Sequence, residues 1–406
     1  MCNGTIMDKL ISFSIPLMLS GILQLMFNAV DIVVVGRFSG SQALAAVGST
    51  TALINVFTNL FIGISLGANV LAARYYATGK TKEMSETVHT AIALALVSGV
   101  AMAVIGVVFA RGALEIMGTP DDVIAKSTLY MRIYFCGMPF FMMYNYGAAI
   151  LRAVGDTKRP LIFLIVSGVI NAVLNLFLVI GFHLDVAGVG IATVISQLVS
   201  CILVLRCLHH TESSYQLHLA KLRIRFVYLK QIFEVGVPAG IQSTVINISN
   251  AMLQSSVNSF GAIAMAGYTA SNNIFGFLYV SVNSFTQACM SFTSQNYGVK
   301  KLKRMDRVLI DCMILSVVVT LILGSSVYIF GPELLHIYSN QADVIKYGME
   351  IFSYTTVTYF LCGLMDLFPG ALRGMGYSTV PMILSIIGTV GVRIIWIYGL
   401  FPSHRS

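Results

Sequence analysis

The sequence predicts an all-α polytopic membrane protein of two tandem six-helix-type lobes, the second lacking its last helix, for eleven spans in all. Three observations predict it. The apolar runs are too long for a soluble core, basic residues gather in alternate loops, and the second half of the chain matches the first in one steady register.

Of the 406 residues, 57% are hydrophobic and 10% are charged, with a mean hydropathy of +0.83. A soluble domain covers its surface with about a quarter charged residues. Val235 to Val299, Phe38 to Ala73 (after Arg37) and Pro160 to Phe182 each run without one Asp, Glu, Lys, Arg or His. About 20 apolar residues cross the hydrocarbon layer as a helix, and runs of this length exclude the alternating pattern of a barrel. A single helix over the whole of Val235 to Val299 would be roughly 100 Å long, so that run is expected to break at Asn258-Ser259-Phe260-Gly261.

Turn and charge punctuation places the spans near 9–36, 43–77, 86–110, 123–151, 160–183, 187–208, 229–257, 263–297, 308–330, 344–372 and 379–401. With the N-terminus in the cytoplasm, the outside loops hold only Arg37, Arg111, Lys126, Lys346 and Arg405, and the spans only Arg132 and Arg393. All other Lys and Arg residues fall inside. The positive-inside rule therefore orients the N-terminus to the cytoplasm of a plasma-membrane protein. The first apolar segment lacks a small-residue cleavage site, so no cleavable leader is expected. The net charge of +8 is accounted for by these loops and calls for no nucleic-acid partner. The seven cysteines form no CxxC pair and read as small buried hydrophobes.

The self-match sets Pro16 on Pro238, Asn28 on Asn250, Tyr76 on Tyr297, Leu151-Arg-Ala-Val-Gly on Leu372-Arg-Gly-Met-Gly, and Pro160 on Pro381. A single-residue step between the first two spans is its only break. Both halves then run the same way across the membrane, as parallel repeats do. The expected division is an N-lobe over 1–208, a cytoplasmic linker over 209–228 and a C-lobe over 229–406. The partner of the sixth span would begin just past Ser406, so a twelfth span is expected to be missing.

Ionisable groups inside spans are costly and read as functional. Asp31 follows the uncharged run Leu10 to Val30, so its carboxyl is paired, protonated or holding a cation. Asn171 and Asn175 share one helix face at i, i+4, and Thr193 follows on the next span. Such oxygens line a small-cation or proton site or simply join helices, and spacing alone leaves both readings open. Asp366 and Arg393, in the tenth and eleventh spans, form either a second ion site or, as the simpler expectation, a pair with each other. Pro16 can kink the first span about four turns before Asp31. No GxxxxGK[ST] or HExxH motif is present. Gly63-Ile-Ser-Leu-Gly67 lies mid-span, where small residues four apart serve helix packing rather than a nucleophile elbow. The chain is expected not to be an enzyme.

Pro16-Leu-Met-Leu-Ser-Gly, Asn28-Ala-Val-Asp31-Ile-Val-Val-Val-Gly36-Arg-Phe-Ser-Gly40 and Ala43-Leu-Ala-Ala-Val resemble the opening of multidrug and toxic compound extrusion (MATE) transporters, within the flippase superfamily that includes them. The loops Leu151-Arg-Ala-Val-Gly-Asp-Thr-Lys-Arg-Pro160 and Leu372-Arg-Gly-Met-Gly resemble that family's paired cytoplasmic signatures. The resemblance implies two lobes around a V-shaped cleft and export of amphipathic, often cationic, drug-like compounds against inward H⁺ or Na⁺. It implies that Asp31, Asn171, Asn175 and Thr193 form the coupling-ion and substrate site, holding Na⁺ if that is the ion, and that Pro16 is a helix hinge. It implies no cofactor beyond the transported ion, a lipid bilayer and small molecules as partners, and a monomer. The seventh-helix glutamate of some members is replaced by Ile246. A lipid-linked precursor flippase and an inactive, shortened membrane protein are the alternatives; only Arg132 and Arg393 lie within spans, too few for a flippase's basic cavity.

Overall fold

The structure is a computed structural model that describes residues 1–258 and 260–400. Ser259, Phe401 and Arg405, which enter the span and charge assignments, lie outside the described residues. In chain order the helices are α1 (Met7–Phe38), α2 (Gly40–Ala77), α3 (Thr81–Ile116), α4 (Asp121–Cys136), α5 (Met138–Ala153), α6 (Lys158–Leu176) and α7 (Asp185–His209). They continue with α8 (Phe226–Asn258), α9 (Ala262–Gly298), α10 (Leu302–Ile329), the short α11 (Gly331–His336), α12 (Ala342–Met375), α13 (Thr379–Ser385) and α14 (Val392–Ile395). Wider π turns extend α6 over Phe177–Gly181, join α13 to α14 over Ile386–Gly391, and follow α14 over Trp396–Leu400. Among the described residues there is no strand. The fold is all-α, as the apolar runs require.

Among the described residues, eight segments are long and apolar enough to cross a membrane: α1, α2, α3, α6 with its π turn, α7, α10, α12, and 379–399. The expected fourth span is two shorter helices, α4 and α5, divided at Gly137. Along part of α3, small residues face inward and large ones outward. On α3 the buried face carries Ala91, Ala95, Gly99 and Gly106, while Val97, Val104, Val108 and Phe109 stand exposed. Membrane helices associate in this way, with small residues inside and large apolar ones turned toward lipid.

The repeat is written into the backbone. Gly155 and Gly376, partners in the self-match, both take left-handed φ values, +99° and +98°, in the turns that end α5 and α12. A side chain there would be strained, which is why glycine closes both loops. Gly79 at +68° is matched by Lys300 at +58°, a non-glycine residue held in the same conformation.

Packing divides the chain into two compact units, Leu19–Gly240 and Met1–Met18 with Ile241–Ser406. Helices α1 and α8 each contribute to both. Their switch points, Met18/Leu19 and Gly240/Ile241, occupy one repeat position, two residues past Pro16 and Pro238. Both prolines lie inside their helices, where each removes a backbone hydrogen bond.

In the first of these units α2 runs against the opening turns of α8. A Cβ added at Gly63 would lie 2.2 Å from Gly240 Cα, and one at Gly67 would lie 2.1 Å from Ile232 O. The GxSxG match is thus a packing surface. The core of this unit centres on Met84, Ile92, Met131, Phe135, Met142 and Tyr146, all buried. In the other unit Phe13 of α1 meets Phe292 of α9 edge to face at 5.5 Å, and Phe275 meets Phe352 at 5.4 Å.

Candidate functional site

The site in the Leu19–Gly240 unit starts from a glycine. A Cβ at Gly168 of α6 would fall 1.9 Å from the ring of Phe27, so α1 reaches α6 only because that side chain is absent. One turn beyond Phe27 is Asp31; one and two turns beyond Gly168 are Asn171 and Asn175. Gly188 does the same for α7, where a Cβ would lie 3.2 Å from Val179 in the π turn after α6. This sets Thr193 beside Asn171. Single π turns open a helix locally and are common at functional sites.

The four side chains form one connected chain. Asn175 Nδ2 donates to Asp31 Oδ1 and, at 3.1 Å, to Asn171 Oδ1. Asn171 Nδ2 points at Thr193 Oγ1 at 3.5 Å, the weakest link, and that hydroxyl donates to Val189 O at 2.9 Å. Asn171 is 5% exposed and Asn175 is fully buried. Among the described residues no cation lies within ion-pair distance of Asp31. Asn175 Oδ1 is buried and accepts no hydrogen bond among the described residues. A carboxylate without a counter-charge and an amide oxygen without a donor are together a site suited to a proton or a small cation. Orienting the Asn175 amide the other way would present Oδ1 to the carboxylate side and complete an oxygen set for Na⁺.

Two residues of this neighbourhood are not anticipated by the sequence. Tyr130 and Tyr134 of α4 lie close enough to Asp31 for its charge to act on their hydroxyls. Their i, i+4 spacing is the available signal, but aromatic residues inside a span read first as core.

In the other unit the expected Asp366–Arg393 pair does not form. Arg393 Nη1 donates to Asn250 Oδ1 at 2.6 Å and to Ser249 Oγ at 3.3 Å, both on α8. Asp366 instead faces the charge of Arg373, seven residues further along α12 and thus on its own helix face. Opposite charges on two helices pair only if both helices turn the right way, and a sequence does not fix that rotation. Pro16 lies within α1, near its passage between units.

With the helices and this site in place, the comparisons with known proteins define the class. The chain superimposes on a solved outward-facing multidrug resistance MATE transporter of the MOP superfamily with a TM-score of 0.91, over 98% of this chain and 89% of that one, at 20% identity. The fold is therefore that of these transporters. The MatE family model matches twice, over residues 16–177 and 238–398, and the second match begins and ends on the repeat counterparts of the first. The chain belongs to the MatE family; it is a multi-pass membrane transporter and not an enzyme. Relatives include the probable multidrug resistance protein YoeA of Bacillus subtilis, 29% identical over 94% of this chain and 84% of its own length. The multidrug export protein MepA of Staphylococcus saprophyticus is 23% identical over 98% of this chain and 89% of its own.

Proposed function

We propose that this transporter is a secondary multidrug exporter, expelling amphipathic and cationic organic compounds across the plasma membrane in exchange for inward H⁺ or Na⁺. Its relatives' names support export of more than one drug, and the gathering of basic residues in alternate loops supports a cytoplasmic N-terminus. The observation that carries the coupling is the buried chain from Asp31 through Asn175 and Asn171 to Thr193, with no cation paired to the carboxylate among the described residues.

Coupling needs a group whose ion occupancy decides what else can bind. A carboxylate within the apolar layer is stable when neutralised, by a proton or by Na⁺, and poorly stable when bare. A cationic compound neutralises it as well. Ion and substrate then compete for Asp31, so entry of the ion from outside displaces the compound and resets the site. Asn175 orients the carboxylate, and Asn171 and Thr193 hold Asn175 in place.

The test is efflux of ethidium from loaded cells, with the Na⁺ and pH gradients varied independently. Wild-type efflux should follow one of the two gradients. Asp31→Asn should reduce efflux to that of cells lacking the protein, at equal amounts in the membrane. Full efflux by that variant would remove Asp31 from the coupling mechanism.

A further inference from the structure

Arg393 stands at the repeat position of Ala172, which neighbours Asn171, and its partner Asn250 stands at the repeat position of Asn28, three residues before Asp31. The Ile241–Ser406 unit thus carries a cation on the segment that matches α6, whereas the other unit carries its carboxylate on α1. Three features of Arg393 set it apart from a structural arginine.

First, no carboxylate lies within ion-pair distance among the described residues; its two acceptors, Ser249 and Asn250, are neutral. Second, the bonds occupy Nη1 alone. Nε and Nη2 form the other edge of the guanidinium, the edge that presents two parallel N–H groups to a carboxylate, and among the described residues neither donates to an acceptor. Third, the head group does not extend along its own helix toward the end of the segment, as a snorkelling arginine does. It turns sideways to α8, where Ser249 is 2% exposed. Tyr268 of α9 and Cys362 of α12 are close enough to feel its charge, so four helical segments surround it. An uncompensated, half-buried guanidinium with its bidentate edge free is a receptor for an anionic oxygen group.

We infer that Arg393, braced by Ser249 and Asn250, binds the carboxylate of zwitterionic or anionic drug-like compounds. The inference rests on the export reading for transport of such compounds; the binding itself does not depend on it. The N–H groups of Nε and Nη2 meet the two carboxylate oxygens side-on, while Nη1 stays tied to α8 and fixes the plane of recognition. A lysine would keep the charge and lose the two-point geometry.

The chain supplies its own reporter, since Trp396 is the single tryptophan and lies three residues along the same segment. Protein in phosphatidylcholine nanodiscs is titrated with norfloxacin, a zwitterion, and with its methyl ester, a cation of nearly the same shape, while Trp396 fluorescence is followed. Wild type should bind the acid roughly tenfold or more tightly than the ester, the value of one charge-assisted bidentate contact. Arg393→Gln should bring the acid down to the ester's affinity and leave the ester unchanged, and Arg393→Lys should restore part of the difference. Asn250→Asp, which places a carboxylate beside the guanidinium, should abolish the preference by occupying Arg393 internally. Equal affinity of wild type for acid and ester, or equal loss of both in Arg393→Gln, would overturn the assignment. So would disappearance of the acid's advantage when phosphatidylglycerol is added to the discs, because a lipid phosphate would then hold the site. Failure of wild type to export ethidium would remove the export reading and leave the acid–ester comparison to decide this one.

Discussion

The two halves of this transporter repeat each other in backbone and differ in charge. Around Asp31 the N-terminal half assembles an anion with amide and hydroxyl neighbours on α6 and α7. Around Arg393 the C-terminal half assembles a cation with amide and hydroxyl neighbours on α8. Asp31 falls on Leu253, Asn175 on Trp396 and Ala172 on Arg393, while Asn28 falls on Asn250, Pro16 on Pro238, and Gly155 on Gly376 with nearly the same φ. A duplicated scaffold thus retains what the backbone needs, prolines and left-handed glycines, and varies the ions that the membrane interior penalises most. Because an isolated ion in hydrocarbon is costly, an opposite charge stabilises each of these positions.

After the loss expected for Asp31→Asn, the largest effect should come from importing the C-terminal half's apolar character into the N-terminal site. Asn175→Leu removes the donor to Asp31 and the amide that joins it to Asn171. Leaving a buried partner unsatisfied costs about 1–3 kcal/mol, so the driving-ion concentration for half-maximal ethidium efflux should change roughly tenfold or more. An unchanged ion dependence would mean that Asp31 acts alone, and the contrast between the halves would shrink to one carboxylate and one guanidinium.

A smaller effect sharpens how the N-terminal site is built. Gly168→Leu pushes a side chain into the Phe27 ring and forces α1 away from α6. Overpacking of this kind costs about 1–3 kcal/mol. The purified variant should unfold at a lower temperature, and Phe27→Ala in the same chain should recover much of the loss. If Phe27→Ala gives no recovery, contact at Gly168 does not set the α1–α6 distance. The C-terminal half has Ser249 and Thr389 at the corresponding positions, so small residues there leave room for the Arg393 head group.

These particulars show what the sequence made legible. Asp31 stood out because a lone charge in an uncharged run is costly unless it reaches the interface or finds a partner, and Asn171 with Asn175 because one-turn spacing puts both on one face, while their reading as one site came from the family resemblance. Helix existence followed from hydrophobic runs, and the repeat from proline and glycine positions. Tyr130 and Tyr134 escaped because a phenol inside a span is mostly apolar surface, and only tertiary packing brings its hydroxyl near Asp31. The Asp366–Arg393 pairing failed for a related reason. Charge is local to a sequence but direction is not, and Asp366 shares a helix face with Arg373.

The smallest predicted effect lies outside the membrane, where the linker of the N-terminal half forms a strap. After α7 it folds back on α3: Leu217 N donates to Leu208 O at 2.9 Å, Arg225 N to Thr90 Oγ1 at 3.2 Å, and Arg223 and Arg225 grip Glu86. At the centre His218 N donates to His89 Nε2 at 3.1 Å, while His89 Nδ1 meets Ser85 O at 2.6 Å. With a carbonyl at Nδ1 and an N–H at Nε2, the His89 ring links the strap to α3 through both of its nitrogens. Burial first, then the charges of Lys221, His89 and His209, hold the His218 imidazole below its usual value. A histidine depressed in the folded state adds stability above its unfolded pKa, about 6.5, and loses it as pH falls through the folded value. His218 therefore favours a docked strap at neutral pH and a looser one in acid. Amide hydrogen exchange over residues 210–225, corrected for its intrinsic pH dependence, should show protection falling below about pH 6.5. His89→Leu should lower protection at every pH by removing the acceptor of the His218 N–H, while Glu86→Gln should weaken the strap without moving the pH at which it loosens. Protection independent of pH in wild type would mean that the arginine grip on Glu86 holds the strap unaided.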